Sequence, residues 1–365
     1  MLTFEWDTFT LSLYLLIIIL TYFISFFVFT NKNNLYDLKI NYIPLFITFF
    51  IFFIFASIRK IGTDYSTYQD IFNSANDKSE SSLYGIEPGF LLYNKLIRLF
   101  TTNSSVYFTI TSFITLLFVF ISLIRNRVLI HFPFAILVYS TLYYFQSYSL
   151  IRAYLASAIL LYSFEFLVNK KYIKFCILFL ITSSIHYSTF LILLPLLGLF
   201  LYRIKIIYFY LYIILLFVFT YQFSNYLIFF NLTDRYSGYL ENIDKSGSIG
   251  FGQIFENVPI LLLLYIAKIQ KNIDSYFLDV ITVFTWFIFF FGVLGYWIPT
   301  ISRVNYILTF PFLLFIPMFI KSNQNTFKNI FYKFFVIVYL SIRLYIYFSA
   351  LAFSDGINEY NTIFN

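Results

Sequence analysis

The sequence predicts an all-α, polytopic integral membrane protein with about twelve transmembrane helices. Hydrophobic residues make up 61% of the 365-residue chain and charged residues only 11%, whereas soluble domains carry roughly 25% charged residues to cover their surface. A chain with so little polar side-chain material has a lipid bilayer as its natural solvent. This composition excludes an ordinary soluble globule.

Twelve apolar stretches approach the length of about 20 residues that a helix needs to cross the hydrocarbon core. They lie near 9–29, 41–58, 104–124, 130–146, 148–168, 171–185, 187–202, 205–225, 253–270, 275–297, 301–320 and 328–350. No repeat of fixed period divides the chain, so residues 1–365 are interpreted as a single multispan membrane domain.

Lysine and arginine residues predict the orientation, because they favour cytoplasmic connections. With the N-terminus outside, 14 of the 24 basic residues lie in the cytoplasm and 10 outside, whereas 13 of the 17 acidic residues lie outside. The net charge of +7 is therefore mainly a membrane-orientation signal. No nucleic-acid partner is needed to explain it.

Two outer connections are long, 59–103 and 226–252. In the first, Tyr65, Tyr68 and Phe72 recur at helical spacing, and Pro88 suits the first turn of a second helix. We expect two short amphipathic helices at the outer interface. Long loops in compact proteins are often functional.

Ionisable residues at membrane depth need a reason, because each costs roughly 2.5–3.5 kcal/mol on insertion scales. The predicted topology brings eight candidate site residues to the outer side: Arg59, Asp64, Tyr65, Glu87, Arg152, His186, Arg235 and Arg303.

Several of these residues also have a purely structural interpretation. Arg59 and Arg303 can extend to the lipid headgroups, Asp64 can cap a helix, and His186 can be a satisfied polar residue in a tight bend. Arg152 is harder to dismiss, since the small residues around it allow close helix packing.

Several chemistries are not indicated. The two histidines, His131 and His186, fall on opposite sides of the membrane, which disfavours a shared metal site, and no phosphate-binding glycine loop or Gly-x-Ser-x-Gly elbow occurs. Guanidinium groups bind phosphate or pyrophosphate, and aromatic faces suit sugar rings and isoprenoid tails. A lipid-linked sugar diphosphate fits these features.

Several ordered segments resemble a known family. They are Arg59-Lys60-Ile61-Gly62-Thr63-Asp64-Tyr65-Ser66-Thr67-Tyr68, Glu87-Pro88-Gly89-Phe90-Leu91-Leu92-Tyr93-Asn94-Lys95-Leu96-Ile97, Ile151-Arg152-Ala153-Tyr154-Leu155-Ala156, Ile185-His186-Tyr187-Ser188, Asp234-Arg235-Tyr236 and Ser302-Arg303-Val304-Asn305-Tyr306. In this order they resemble the EpsG family of bacterial polysaccharide polymerases, which are Wzy-type enzymes. Ala153 departs from the pattern, which has glutamine after the arginine.

The resemblance implies a glycosyltransferase of GT-C-like architecture in the bacterial cytoplasmic membrane, with its active site facing outward. Its substrates would be undecaprenyl-diphosphate-linked oligosaccharides, with membrane lipids, a chain-length regulator and a flippase as partners. Arg152 would stabilise the departing diphosphate, with support from Arg59, Arg235 and Arg303. No metal or other cofactor is expected, because arginines can neutralise the diphosphate.

The resemblance leaves the general base open between His186, which suits by its intrinsic pKa, and Asp64, which lies in the first long outer loop. Glu87 and Tyr65 would contact the sugar. Two other functions are kept as alternatives: a flippase or transporter of lipid-linked oligosaccharide, and a membrane acyltransferase that modifies surface polysaccharide.

Overall fold

A computed structural model describes residues 7–31, 38–76, 85–229, 251–295, 301–324, 327–351 and 355–364. The fold is almost entirely helical. The α-helices are, in chain order, α1 (Thr8–Ser25), α2 (Tyr42–Ile58), α3 (Tyr65–Ser74), α4 (Pro88–Arg98), α5 (Ser104–Arg125), α6 (Phe132–Tyr139), α7 (Ile151–Val168), α8 (Tyr172–Ile185), α9 (Leu193–Ile204), α10 (Ile206–Phe229), α11 (Phe251–Gln270), α12 (Ser275–Leu294), α13 (Asn305–Leu308), α14 (Phe312–Ser322) and α15 (Asn329–Ile346).

The helices have the composition of a multi-pass membrane protein. Within the described ranges, seven helical stretches are long and apolar enough to cross a membrane. They are Thr8–Ser25, Ser104–Arg125, Ile151–Val168, Tyr187–Ile204, Ser275–Leu294, Asn305–Ser322 and Asn329–Ser349. Five shorter apolar helices fall within the other predicted segments. The protein is thus an all-α polytopic membrane protein, and the count of twelve spans stays a prediction.

The first predicted segment, 9–29, ends differently from the expectation. Helix α1 stops at Ser25, and a short strand β1 (Phe29–Asn31) pairs antiparallel with β2 (Leu38–Ile40). The Asn41 N–H also donates to the Val28 carbonyl, at 2.8 Å. A short apolar run fits a strand as well as a helix end, so hydropathy could not place this boundary.

The segment between α6 and α7 is the main irregularity of the membrane body. Helix α6 passes through a π-helical turn, Ser140–Tyr144, and a 3₁₀ turn, Gln146–Tyr148, before α7 begins at Ile151. We call residues 145–150 the hinge. Irregular backbone at membrane depth is tolerated where protein buries it, and Phe145, Tyr148 and Ser149 are each at most 1% exposed.

The chain divides into two compact units. The first contains residues 1–83, 88–186 and 310–365, and the second contains 84–87 and 187–309. The first unit has an aromatic core around the hinge, in which the Tyr14 and Phe145 ring centroids lie 4.5 Å apart and the Tyr144 hydroxyl donates to the Phe52 carbonyl, at 2.7 Å. Because buried aromatic side chains pack in specific geometries, these contacts hold the hinge in one conformation.

Each unit also contains an ion pair between residues that the sequence places on the cytoplasmic side. In the first unit Arg125 Nη2 donates to Glu165 Oε1, at 3.0 Å. In the second, Arg203 Nη1 donates to Asp279 Oδ2, at 2.9 Å. The contacts are those expected if both members of each pair lie at the same end of their helices.

Candidate functional site

Arg152 lies in the first turn of α7, directly after the hinge. Its backbone N–H donates to the Tyr68 hydroxyl, at 3.5 Å, and its guanidinium lies over the Phe90 ring, 5.5 Å from the centroid. Tyr68 belongs to α3 and Phe90 to α4. Both helices of the 59–103 connection therefore contact the residue that the sequence favours most as functional.

Helix α3 is amphipathic and presents its aromatic residues to α5. The Tyr65 ring stacks on Phe108 with centroids 4.1 Å apart, and Phe72 stacks on Tyr107 at 4.6 Å. Asp64 directly precedes this helix, yet its side chain makes no capping hydrogen bond. The capping interpretation of Asp64 therefore does not describe this structure.

Gly89 allows helix α4 to pack closely against the end of α8. A Cβ atom on Gly89 would lie 2.7 Å from the carbonyl carbon of Ser184, and real Cβ contacts are not this short. The absent side chain lets α4 approach α8 two residues before His186. This approach also buries Phe90, which is 0% exposed, beneath Arg152.

Replacing Gly89 with valine is expected to destabilise the protein, although valine suits a helix better than glycine. The steric conflict involves a backbone atom that cannot rotate away, and overpacking of this kind costs about 1–3 kcal/mol. The measurement is the thermal unfolding midpoint in detergent. Leu92→Val is the control, because Leu92 is 58% exposed on the same helix, and it should leave the midpoint unchanged. Equal midpoints for Gly89→Val and the wild type would show that α4 does not pack on α8 in this way.

His186 forms the boundary between α8 and the following 3₁₀ helix, Tyr187–Ile192. It has extended backbone angles (φ −146°, ψ 108°), and its N–H donates to the Thr182 carbonyl, at 2.9 Å. His186 therefore lies in a bend, as expected from the sequence. Within the second unit, Glu87 is 5% exposed and its Oε1 accepts the Tyr187 N–H at 3.4 Å.

Arg59 is buried inside the first unit and does not extend from its surface. It is 3% exposed, its guanidinium lies 4.7 Å from the Tyr148 ring centroid, and its Nη1 donates to the Ala56 carbonyl and to Ser112 Oγ. No carboxylate among the described residues pairs with it, and its Nε has no hydrogen-bond acceptor there. Because a buried charge without a counter-charge is costly, the Tyr148 ring and the oxygen acceptors of Ala56 and Ser112 have to stabilise Arg59.

A small cavity adjoins the Arg59 side chain. Its volume is about 20 Å³, and Ser112, Thr115, Tyr144 and Tyr154 contribute to its lining. This is room for about one water molecule. Arg59 thus contacts the interior side of the hinge, next to this small cavity.

The loop after Arg59 contacts the same hinge. Gly62 has φ +111°, and a Cβ atom there would lie 2.6 Å from the Tyr148 carbonyl oxygen. The oxygens Thr63 Oγ1 and Ser149 Oγ are 2.7 Å apart. Residues 59–63 therefore hold the hinge from one side, immediately before Asp64.

The eight candidate residues do not all fall within one unit. Arg59, Asp64, Tyr65, Arg152 and His186 belong to the first unit, and Glu87 and Arg303 to the second. Arg303 lies exposed in a 3₁₀ helix, Ile301–Val304. Arg235, like most of the second long connection, lies outside the described residues. The described part of the chain contains no group of three or more histidine, cysteine or acidic residues arranged to hold a metal.

The sequence did not indicate two residues that contact the candidate arginines. Tyr148 and Phe90 lie against Arg59 and Arg152, but 25% of the chain is aromatic, so composition gives no reason to select them. The available signal was their position, because Tyr148 lies four residues before Arg152 and Phe90 follows the Glu87-Pro88-Gly89 turn.

Comparison with known proteins agrees with the ordered motifs. The profile of the EpsG family matches residues 41–362, which is most of the chain. No curated protein and no solved structure gives a significant match. EpsG-type proteins are Wzy-like polysaccharide polymerases of the membrane. Since the match extends from α2 almost to the last described residue and includes every segment quoted above, the chain belongs to the EpsG family.

Proposed function

We propose that the protein transfers a growing glycan from undecaprenyl diphosphate to an incoming lipid-linked repeat unit on the outer face of the cytoplasmic membrane. Family membership supports a membrane polysaccharide polymerase. The observation that carries the mechanism is the position of Arg152, in the first turn of a membrane-length helix and in contact with both helices of the long connection.

Arg152 suits a departing diphosphate for two physical reasons. The first turn of an α-helix presents backbone N–H groups and a partial positive charge, which favour anions. A guanidinium has its N–H donors in one plane, in the geometry used for bidentate phosphate recognition. In this proposal the Phe90 ring orients Arg152 toward the diphosphate.

The proposed reaction is a single displacement at the anomeric carbon. A hydroxyl oxygen of the acceptor sugar forms the new bond, the bond from the anomeric carbon to the diphosphate oxygen breaks, and the electron pair leaves with undecaprenyl diphosphate. The acceptor proton passes to a general base. Arginines stabilise the developing negative charge most strongly where water is excluded.

Asp64 and His186 are both proposed for proton transfer and acceptor orientation. The carboxylate of Asp64 is not engaged in capping α3, and His186 lies in the bend after α8, against which α4 packs. Either residue can be the base, with the other orienting the acceptor. A base with pKa near the working pH is most effective.

The other candidates take supporting roles in this proposal. Tyr65 and Glu87 are proposed to contact the sugar, and Arg303 and Arg235 to contribute positive charge. Arg59 acts from inside the protein by bracing the hinge, because it is only 3% exposed. Twelve spans, a GT-C-like arrangement and an outward-facing site complete the proposal.

A deletion strain tests the function. The carrier lipid should accumulate single repeat units that a membrane-impermeant label reaches from outside in intact cells. Single units reached only after the membrane is opened would indicate a flippase and overturn the proposal. A polymer of normal length that lacks acyl groups would indicate an acyltransferase, with the same consequence.

A further inference from the structure

Residues 355–364, here called the closing segment, pair with residues 58–63, the loop that contacts the hinge. The pairing is through backbone groups at both ends of residues 58–63. The bonds are Ile363 N–H to Ile58 carbonyl at 2.9 Å, Lys60 N–H to Asn361 carbonyl at 2.8 Å, Gly62 N–H to Gly356 carbonyl at 3.3 Å and Thr63 N–H to Asp355 carbonyl at 3.0 Å. Arg59 and Thr362 also form an antiparallel bridge.

The closing segment is itself fixed to the body of the first unit. Ile357 is 0% exposed, and its carbonyl accepts the Tyr14 hydroxyl, at 2.9 Å. The Tyr360 N–H donates to Thr10 Oγ1, at 2.8 Å, and its hydroxyl donates to the Phe55 carbonyl, at 2.6 Å. These bonds connect the closing segment to α1 and α2, so its position is determined independently of the loop.

The contact between the closing segment and the loop is close at one residue. Gly356 has φ +65°, and a Cβ atom there would lie 3.3 Å from the Thr63 backbone nitrogen. Asp355 Oδ2 accepts a hydrogen bond from the Tyr347 hydroxyl, at 2.8 Å. This bond anchors Asp355, whose backbone carbonyl accepts the Thr63 N–H. Displacement of either residue would act on Thr63 directly.

The other side of the same loop contacts the hinge. Gly62 packs on the Tyr148 carbonyl, and Thr63 Oγ1 lies 2.7 Å from Ser149 Oγ. Asp64 follows Thr63 in the chain, and Arg152 follows the hinge. The loop therefore lies between the closing segment and the start of α7.

We propose that the closing segment is a positioning element of the active site, which presses residues 62–63 onto the hinge and so sets where Asp64 stands relative to Arg152. This inference rests on the proposed function for its catalytic meaning. Its structural part, the dependence of the Thr63–Ser149 contact on the closing segment, can be measured without any catalytic assay.

Disulfide trapping measures that contact. Thr63→Cys and Ser149→Cys are introduced together in the full chain after Cys176→Ser removes the native thiol, and mild oxidation joins them if they stay adjacent. Gly356→Val and Ile357→Ala are then added separately, to perturb the closing segment by two unrelated means. Asn361→Ala is the matched control, because that side chain is exposed and only its backbone carbonyl is used.

Trapping is expected to be efficient in the parent and in the Asn361→Ala protein, and to fall about tenfold with Gly356→Val or Ile357→Ala, because a disulfide forms only when the two Cα atoms stay within about 7 Å. In proteins with the native Thr63 and Ser149, the same two substitutions should lower kcat more than they raise KM. Equal trapping in all the proteins would overturn the inference. Reduced trapping in the two variants, together with a wild-type protein that makes no polymer, would support the contact and count against the proposed function instead.

Discussion

Replacing Arg152 with alanine is expected to reduce glycan extension by about 10²–10³-fold, the loss typical when one preorganised donor to a developing negative charge is removed. Arg152 stands in the first turn of α7 and lies over Phe90, so alanine removes the charge and the contact with Phe90 but keeps the backbone hydrogen bond to Tyr68. The effect should fall on kcat, because the charge develops as the bond to the diphosphate breaks. The measurement is the rate of product elongation by purified protein in detergent or nanodiscs.

Two further substitutions make the Arg152 result specific. Lysine at this position keeps a positive charge but loses the planar fork, and we expect it to restore part of the rate. Arg125 also lies near aromatic rings, those of Tyr162 and Phe166, but these belong to the C-terminal half of α7, away from Arg152. Arg125→Ala should leave the rate unchanged. An Arg152→Ala protein as active as the Arg125→Ala protein would remove Arg152 from the mechanism.

Replacing Gly62 with valine is expected to be the most disruptive single change in the loop before α3. The backbone angle φ +111° is strained for a residue with a side chain, and strain of this kind costs about 1–3 kcal/mol. The new Cβ atom would also lie 2.6 Å from the Tyr148 carbonyl oxygen, and overpacking adds about 1–3 kcal/mol more. Both the thermal unfolding midpoint and the extension rate should fall.

The control for Gly62→Val is Ser66→Val, which adds bulk to an exposed position of α3. Its unfolding midpoint should match that of the wild type, since exposed substitutions away from special backbone positions usually change stability by less than about 0.5 kcal/mol. A Gly62→Val protein that melts and turns over like Ser66→Val would be incompatible with a loop packed on the hinge.

The helical, membrane-embedded character of the chain could be predicted because long apolar runs leave few alternatives. The sequence predicted a boundary between two apolar segments, 130–146 and 148–168, and this boundary falls within the hinge. The conformation of the hinge could not be predicted, because hydropathy does not distinguish π and 3₁₀ turns from an α-helix end. The interruption is stabilised by tertiary contacts, such as that of Thr63 with Ser149, which join residues 86 positions apart.

The candidate site was predicted in part. Sequence reasoning identified Arg152 because an arginine among small residues in an apolar run is unusual, and α3 and α4 through their periodicity. It kept extension of Arg59 to the lipid headgroups as one interpretation, since the residue ends an apolar run, whereas the structure buries the side chain on Tyr148. It also gave no role to residues 355–364, because backbone hydrogen bonds leave no pattern in side-chain types.

Polymerisation by the purified protein tests the central claim most directly. The protein is given undecaprenyl-diphosphate-linked repeat units extracted from a strain that lacks it, and the products are separated by length. The account predicts a ladder of products that each contain a whole number of repeat units, with one undecaprenyl diphosphate released per bond formed and no ladder from Arg152→Ala. Single repeat units that stay on their carrier, with a wild-type protein that is folded and supplied with its own substrate, would contradict it.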